Sequence, residues 1–374
     1  MLGFLIASCN SDLFLKGEIS DDWNYAGSSP VIPPAGEKAG NRDGTNPKQL
    51  TYGEWSDINN YNFYLGLFDT ARKCFADYIE YFGFETRYMV TVNVNSSEGP
   101  AGDVLVELEY SGTNLFSART NMKGNAYLFP SSDLNGKNIT IKINGAEKPP
   151  FTYDNNTIFI TLDNAEKSSI LDLMFVIDTT SSMGDEVRYL KTELSNIIGS
   201  INAETVNLAL LFYRDTGDEY ITRYFDFTDN IAQQLSNLDK QSANGGNDFP
   251  EAADRALAEA VDKDWTADNA TRLIFHVCDA PPHSDQISRS TYYNAIKTAA
   301  QKGIRIIPIA SNGIYLAAEY LLRQEAIMTG GTYIFLTDYT GKNESELLHT
   351  TGLYADEYLN DCIVRVVNEY LKEN

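Results

Sequence analysis

From residue 166 to the end, apolar runs of strand length alternate with amphipathic runs of helix length. This alternation restricts the fold more than any other feature of the chain. Strands are predicted over 170–177, 206–213, 220–227, 272–278, 304–310 and 332–336, and helices over 184–201, 250–261, 290–301, 316–328 and 355–371. Within 184–201, Val187, Leu190, Leu194, Ile197 and Ile201 recur at helical spacing and make one apolar stripe. Strands that are apolar at nearly every position, set between such helices, are buried on both faces. The predicted class is therefore α/β, doubly wound and Rossmann-like, with a mostly parallel sheet. The stretch "ALLFYRDTGDEY" followed by "RYFDFTDN" reads as a hairpin, so one edge strand is expected to be antiparallel.

The region before it has a different period. Over 88–165, short alternating runs such as "YMVTVNV", "DVLVELEY" and "NITIKI" are separated by Ser111-Gly112, Lys123-Gly124, Asn135-Gly136 and Asn144-Gly145. These are turn signals, and Ile139, Ile141 and Ile143 fall on one face. A small all-β sandwich is expected here. The run "GPAGDVLVEL…SARTNMKGNAYLFP" resembles the transthyretin-like fold of carboxypeptidase regulatory domains, which implies a spacer or interaction unit. Residues 51–87 are about one-third aromatic, and Phe68, Arg72, Phe75 and Ile79 recur at helix-like intervals. They are expected to pack on a neighbouring domain, with a partner-binding surface as the alternative. Residues 10–50, rich in Gly, Pro, Ser and Asn, read as a flexible linker.

The formal net charge of −23 opposes binding to a nucleic-acid backbone or an anionic membrane face. No apolar run reaches the roughly 18 residues a membrane-spanning helix needs. The first nine residues, "MLGFLIASC", resemble the lipobox of bacterial lipoproteins, in which the chain is cut before a cysteine that then carries lipid. That resemblance marks Cys9 for lipidation, although no basic residue precedes it. "GEWSD" is similar to segments found upstream of such modules in Bacteroidetes-type surface proteins. The implied location is the cell envelope, lipid-anchored at the outer membrane or cell surface. With Cys9 lipidated, Cys74, Cys278 and Cys362 leave an odd count, so at least one free thiol is expected.

Ligands of open α/β sheets bind beyond the carboxyl ends of the strands. Asp178 ends the first predicted strand in "FVIDTTSSMGDEV", with Thr180 and Ser182 two and four residues on. Asp279 ends "RLIFHVCD", and Asp248 sits in the Gly-rich loop "SANGGNDFPEA" before Pro250. Singly, Thr180, Ser182 and Asp248 could be helix caps, and Glu251 could complement a helix dipole. Together the carboxylates would repel unless a hard cation joined them, and oxygen donors suit Mg²⁺. Arg214 and Asp215 are expected near the same rim, either supporting the site or pairing at the surface. His283 reads as a loop residue.

These motifs resemble, in order, those of von Willebrand factor type A domains. "DTTSS" matches the D-x-[ST]-x-S opening of the metal-ion-dependent adhesion site, and Asp279 matches its closing Asp. Asp248 stands where many members have Thr. The G-G-x-D-x-P-E form resembles a subgroup with hemicentin-like and alpha-kinase-associated members. The resemblance implies a metal site of Asp178, Thr180, Ser182, Asp248 and Asp279, holding Mg²⁺ (or Mn²⁺ or Ca²⁺). It also implies a protein partner whose acidic side chain completes the metal shell, and no enzymatic activity. A structural scaffold subunit with a stabilising or vestigial metal is the alternative. A hydrolase built on Ser182 and His283 lacks the G-x-S-x-G elbow, and a phosphate cradle lacks its Gly-rich Lys motif.

Overall fold

A computed structural model describes residues 51–69, 74–164, 170–246, 250–266, 269–311, 314–337, 350–355 and 357–371. Cys9, the linker 10–50 and Asp248 lie outside the described residues. The aromatic segment supplies strand β1 (Thr51–Trp55) and two short helices, α1 (Tyr61–Gly66) and α2 (Ala76–Phe82). Nine short strands follow: β2 (Val90–Ser96), β3 (Gly99–Pro100), β4 (Leu105–Tyr110), β5 (Thr113–Arg119), β6 (Asn125–Leu128), β7 (Asn138–Ile143), β8 (Ala146–Glu147), β9 (Phe151–Thr152) and β10 (Ile158–Leu162). They make two small sheets, one ordered β10-β2-β3 with β6 beside β2, the other β5-β4-β7-β8 with β9 beside β7. Val90, Val92 and Val94 alternate into the core, as do Ile139, Ile141 and Ile143. Asn144 and Gly145, both at positive φ, make the two-residue turn that joins β7 to β8.

The remainder is the α/β unit. Its elements are β11 (Ile170–Asp178), α3 (Gly184–Gly199), β12 (Thr205–Tyr213), β13 (Thr222–Thr228), α4 (Ile231–Asp239), α5 (Ala253–Asp262), β14 (Ala270–Cys278), α6 (Gln286–Lys302), β15 (Ile304–Ala310), α7 (Leu316–Thr329), β16 (Tyr333–Leu336), β17 (Glu357–Tyr358) and α8 (Leu359–Leu371). The sheet order is β13-β12-β11-β14-β15-β16-β1-β17. Strands β12, β11, β14, β15 and β16 run parallel, and β13 is the antiparallel hairpin partner of β12. Alternate side chains of β11 enter opposite cores. Met174 and Val176 join the layer containing Ala256, Ile296 and Leu321, while Leu173, Phe175 and Ile177 join the layer containing Leu190, Leu194 and Ile363. Both faces are therefore covered, which is why the strand reads as an apolar run. Among the described residues no helix is long and apolar enough to cross a membrane.

Three features depart from the local reading. Strand β1 joins this sheet from far upstream, antiparallel to β16, with Tyr52 opposite Leu336 and Trp55 opposite Tyr333. Helix α4 forms where none was predicted; the Asn230 side chain caps it by accepting from the Gln233 N–H, and Leu238 is its buried apolar anchor. The helix expected from residue 250 starts instead at Ala253, because the Glu251 N–H donates to the Pro281 carbonyl (3.1 Å) outside any helix.

The small sheets dock on the amino ends of β14 and β15. Asp103 receives Arg272 Nη1 at 2.8 Å, Arg272 Nη2 at 3.1 Å and the Asn269 N–H at 2.8 Å, and Arg305 Nη2 donates to the Arg119 carbonyl at 3.0 Å. The carboxyl ends of the strands, at the opposite rim, are left clear of this contact. Of the described cysteines, Cys278 and Cys362 are buried free thiols and Cys74 is disulfide-bonded.

Candidate metal centre

Asp178 is the last residue of β11, paired with Tyr213 of β12, and Ile177 before it pairs with Val277 of β14. Parallel register thus brings Asp178 and Asp279 to one rim from adjacent strands. Asp178 is fully buried. Its Oδ1 accepts from the Thr180 N–H (2.8 Å) and the Thr180 hydroxyl (2.7 Å), a local turn that ends the strand. Its Oδ2 is buried and has no partner. Ser182 lies on a 3-10 turn, Ser181–Met183, that leads into α3; its hydroxyl is 3.4 Å from that of Thr180 and lies near Asp279, whose charged form it favours. Asp178, Thr180, Ser182 and Asp279 are thus brought together.

The Gly-rich loop closes over this turn. Asn244 N–H donates to the Thr179 carbonyl (2.9 Å), and the Ser181 N–H and hydroxyl both donate to the Gly245 carbonyl (3.1 and 2.7 Å). Ser181, a spacer in the motif, therefore ties the two loops. Gly246 sits at φ +64°, and a Cβ there would lie 2.6 Å from both Glu251 Oε1 and Thr180 Cβ. Only glycine combines this conformation with this approach.

Two carboxylates emerge that the sequence reading left out of the site. Glu251 is not in a helical first turn, where it would complement a dipole; it is buried, and its Oε2 has no partner. Burial, then the charges of Asp178, Asp215, Asp279 and Asp218, push its carboxyl up to about 10. Glu186, in the first turn of α3, is buried and raised to about 7, first by burial and then by Asp279 and Asp185. Burial and the Asp279 charge raise Asp178 to about 8, and burial raises Asp279. The signal for Glu251 in the sequence was its place after Pro250 at the end of the Gly-rich loop.

The neighbouring charges are already engaged. Arg214 reaches Glu219 (3.3 Å) and the Ser242 carbonyl (2.9 Å) and stacks over Tyr220. His283 Nε2 lies 2.6 Å from Asp215 Oδ1. The site therefore concentrates oxygen donors with two buried, unpartnered carboxylate oxygens, at Asp178 and Glu251. Such an arrangement is unfavourable by itself and suits a small hard cation, with no need for sulfur or imidazole ligands. Among the described residues no trio of His, Cys, Asp and Glu side chains forms a metal cluster, so the hydroxyls of Thr180 and Ser182 are essential to any such donor set.

Residues 172–338 match the family model described as von Willebrand factor A domain. A protein of Acanthamoeba polyphaga mimivirus named as an ariadne-like RING finger protein is 26% identical over 204 residues, covering 50% of this chain and 20% of that protein. The alpha-protein kinase vwkA of Dictyostelium discoideum is 23% identical over 137 residues, covering 35% of this chain and 22% of that protein. The chain thus spans about a fifth of the length of these curated relatives. Among solved structures, BatB of Bacteroides thetaiotaomicron, a conserved hypothetical protein, aligns with TM-score 0.32 and 14% identity, over 54% of this chain and 87% of that one. A von Willebrand factor type A protein of Catenulispora acidiphila aligns with TM-score 0.39 and 12% identity, over 74% of this chain and 51% of that one.

Proposed function

With residues 172–338 forming a von Willebrand factor A domain, a type of module that generally mediates protein–protein interaction, we propose that this chain is a cell-envelope lipoprotein that binds a protein ligand through a Mg²⁺-dependent site and is not an enzyme. The observation that carries the reading is the buried, unpartnered Oδ2 of Asp178 beside the hydroxyls of Thr180 and Ser182. Asp178, Thr180, Ser182 and Asp279 are the residues that would hold the metal, with Asp248 as a further ligand. Mg²⁺ bound there would supply the positive charge that an acidic side chain of the partner recognises. Asp178 orients the Thr180 hydroxyl, and the Ser182 hydroxyl favours the charged form of Asp279. A binding role is favoured over hydrolysis because His283 Nε2, the nitrogen a serine–histidine pair would use, is held by Asp215. The strands of residues 90–162 are assigned as a transthyretin-like sandwich serving as a spacer.

Calorimetric titration of the full chain with Mg²⁺ tests the site. Heat of binding and a raised melting temperature are expected for the wild type and absent in Asp178→Ala; a wild type that takes up no metal at millimolar Mg²⁺ sinks the proposal. A scaffold subunit with a stabilising or vestigial metal is the second reading. Pull-downs from intact cells separate the two, since a scaffold keeps its partners in chelator. Anchoring is read from the mass of the N-terminal peptide. Lipidation uses the Cys9 sulfur, whereas Cys74 is disulfide-bonded and, with Cys278 and Cys362 free, Cys9 is the one other cysteine of this chain, so a peptide carrying Cys9 in a disulfide overturns the anchor.

A further inference from the structure

We propose that Glu251 is an additional carboxylate of this site that supports the cation through a bridging water, an assignment that rests on the Mg²⁺ reading above.

The backbone of Glu251 is pinned to the segment that follows Asp279. Its N–H donates to the Pro281 carbonyl at 3.1 Å, and it forms a parallel bridge with Pro282. Its side chain runs the other way, to Gly246 and Thr180, where the φ of +64° at Gly246 leaves room for it. Glu251 therefore spans the gap between the two loops that carry the metal motif, one through Asp279 and one through Thr180. A buried carboxylate in such a place ordinarily has an Arg, a Lys or a set of N–H donors. Glu251 Oε2 has no hydrogen-bond partner and is enclosed, in a residue 4% exposed. A protonated carboxyl serving only the fold would donate or accept a hydrogen bond there, and none is made. The unpartnered Oδ2 of Asp178 poses the same question on the same rim, and a cation held at Asp178 with a water bridging to Glu251 answers both without requiring a three-carboxylate cluster. A third carboxylate beside Asp178 and Asp279 also sets the character of the site. It strengthens cation retention by this chain alone and weakens the pull on an incoming carboxylate.

Glu251→Gln keeps the shape of the side chain and removes its charge. Mg²⁺ titration of the full chain is expected to show affinity lowered about ten-fold or more, the scale seen when groups supporting a metal are removed. In chelator the same variant is expected to melt at or above the wild-type temperature, because a buried unpaired carboxylate has gone. Wild-type Mg²⁺ affinity in Glu251→Gln, with Asp178→Ala still inactive in binding, overturns the Glu251 assignment and leaves the metal site standing. Equal loss of stability with and without Mg²⁺ marks Glu251 as a fold contact and also overturns it. Absence of any Mg²⁺ effect on the wild type removes the metal reading itself.

Discussion

Arg323 of α7 and Asp57, 266 positions earlier, form a two-pronged ion pair in the interior of the protein, both side chains at most 1% exposed. Nε donates to Oδ2 at 2.8 Å and Nη2 to Oδ1. Arg323 Nη1 also reaches Glu319 and the Thr350 carbonyl (3.1 and 2.7 Å), so the guanidinium is enclosed by acceptors. Around it, Tyr64 and Thr86 hydrogen-bond Gln324, and Phe75, Phe82 and Phe84 pack on Tyr320. The aromatic segment is thereby the outer cover of α7, which explains why that helix is buried on all sides.

Removing one partner of such a pair strands the other charge. Asp57→Ala is expected to cost about 3–5 kcal/mol, measured by urea unfolding. Replacing both, as Asp57→Leu with Arg323→Met, is expected to recover much of that loss. A cost below about 1 kcal/mol for the single change would show that the pair is not desolvated as the structure has it.

Deleting residues 1–87 exposes the edge of β16 and the apolar face of α7 together. An uncovered edge and apolar face favour aggregation. A chain beginning at residue 88 is expected to be aggregated by sedimentation, while one beginning at residue 51 unfolds cooperatively. A soluble, cooperatively folding shorter chain would refute this.

Gly246→Ala tests the packing of the Gly-rich loop. Positive φ and a Cβ 2.6 Å from Thr180 and Glu251 are together expected to destabilise by about 1–3 kcal/mol. Mg²⁺ affinity should fall as well, since both neighbours are displaced. Gly199, with open space around its Cβ position, is the control: Ala there should be neutral or stabilising.

Asp285 supplies the pH-dependent case away from the metal site. It caps α6, accepting from the Ile287 and Ser288 N–H groups at 2.9 and 3.1 Å. The Ser288 hydroxyl and then these N–H groups hold its carboxyl below the usual value. A lowered folded-state value means stabilisation that is present above the unfolded-state pKa and lost as pH falls through the folded one. Asp285→Ala is expected to cost about 1 kcal/mol at neutral pH. The difference from wild type should shrink below about pH 4. A difference that stays constant into acid would mean that the charge of the cap is irrelevant.

The parallel core was legible in the sequence because its causes are local. A strand such as β11, buried on both faces, must be apolar throughout, and the helix after it must carry a stripe at helical spacing. Asp178, Thr180 and Ser182 could be read for the same reason, being set in one strand-to-helix turn, and Asp279 by its place at the end of the next parallel strand. Helix α4 was missed although Ile231, Leu235 and Leu238 recur at helical spacing, because the run is only nine residues long and too short for the period to stand out. The place of β1 was invisible for a different reason: backbone pairing between Tyr52 and Leu336 depends on no side-chain pattern shared by the two segments. Glu251 looked like a helix-end charge until the backbone turned away toward Pro281 and carried its carboxylate to Thr180. Sequence alone determined which segments are the parallel strands and which turn carries the hydroxyls. Tertiary structure decided which distant residues share the low-dielectric rim, because burial and charge proximity exist only once the chain has closed on itself.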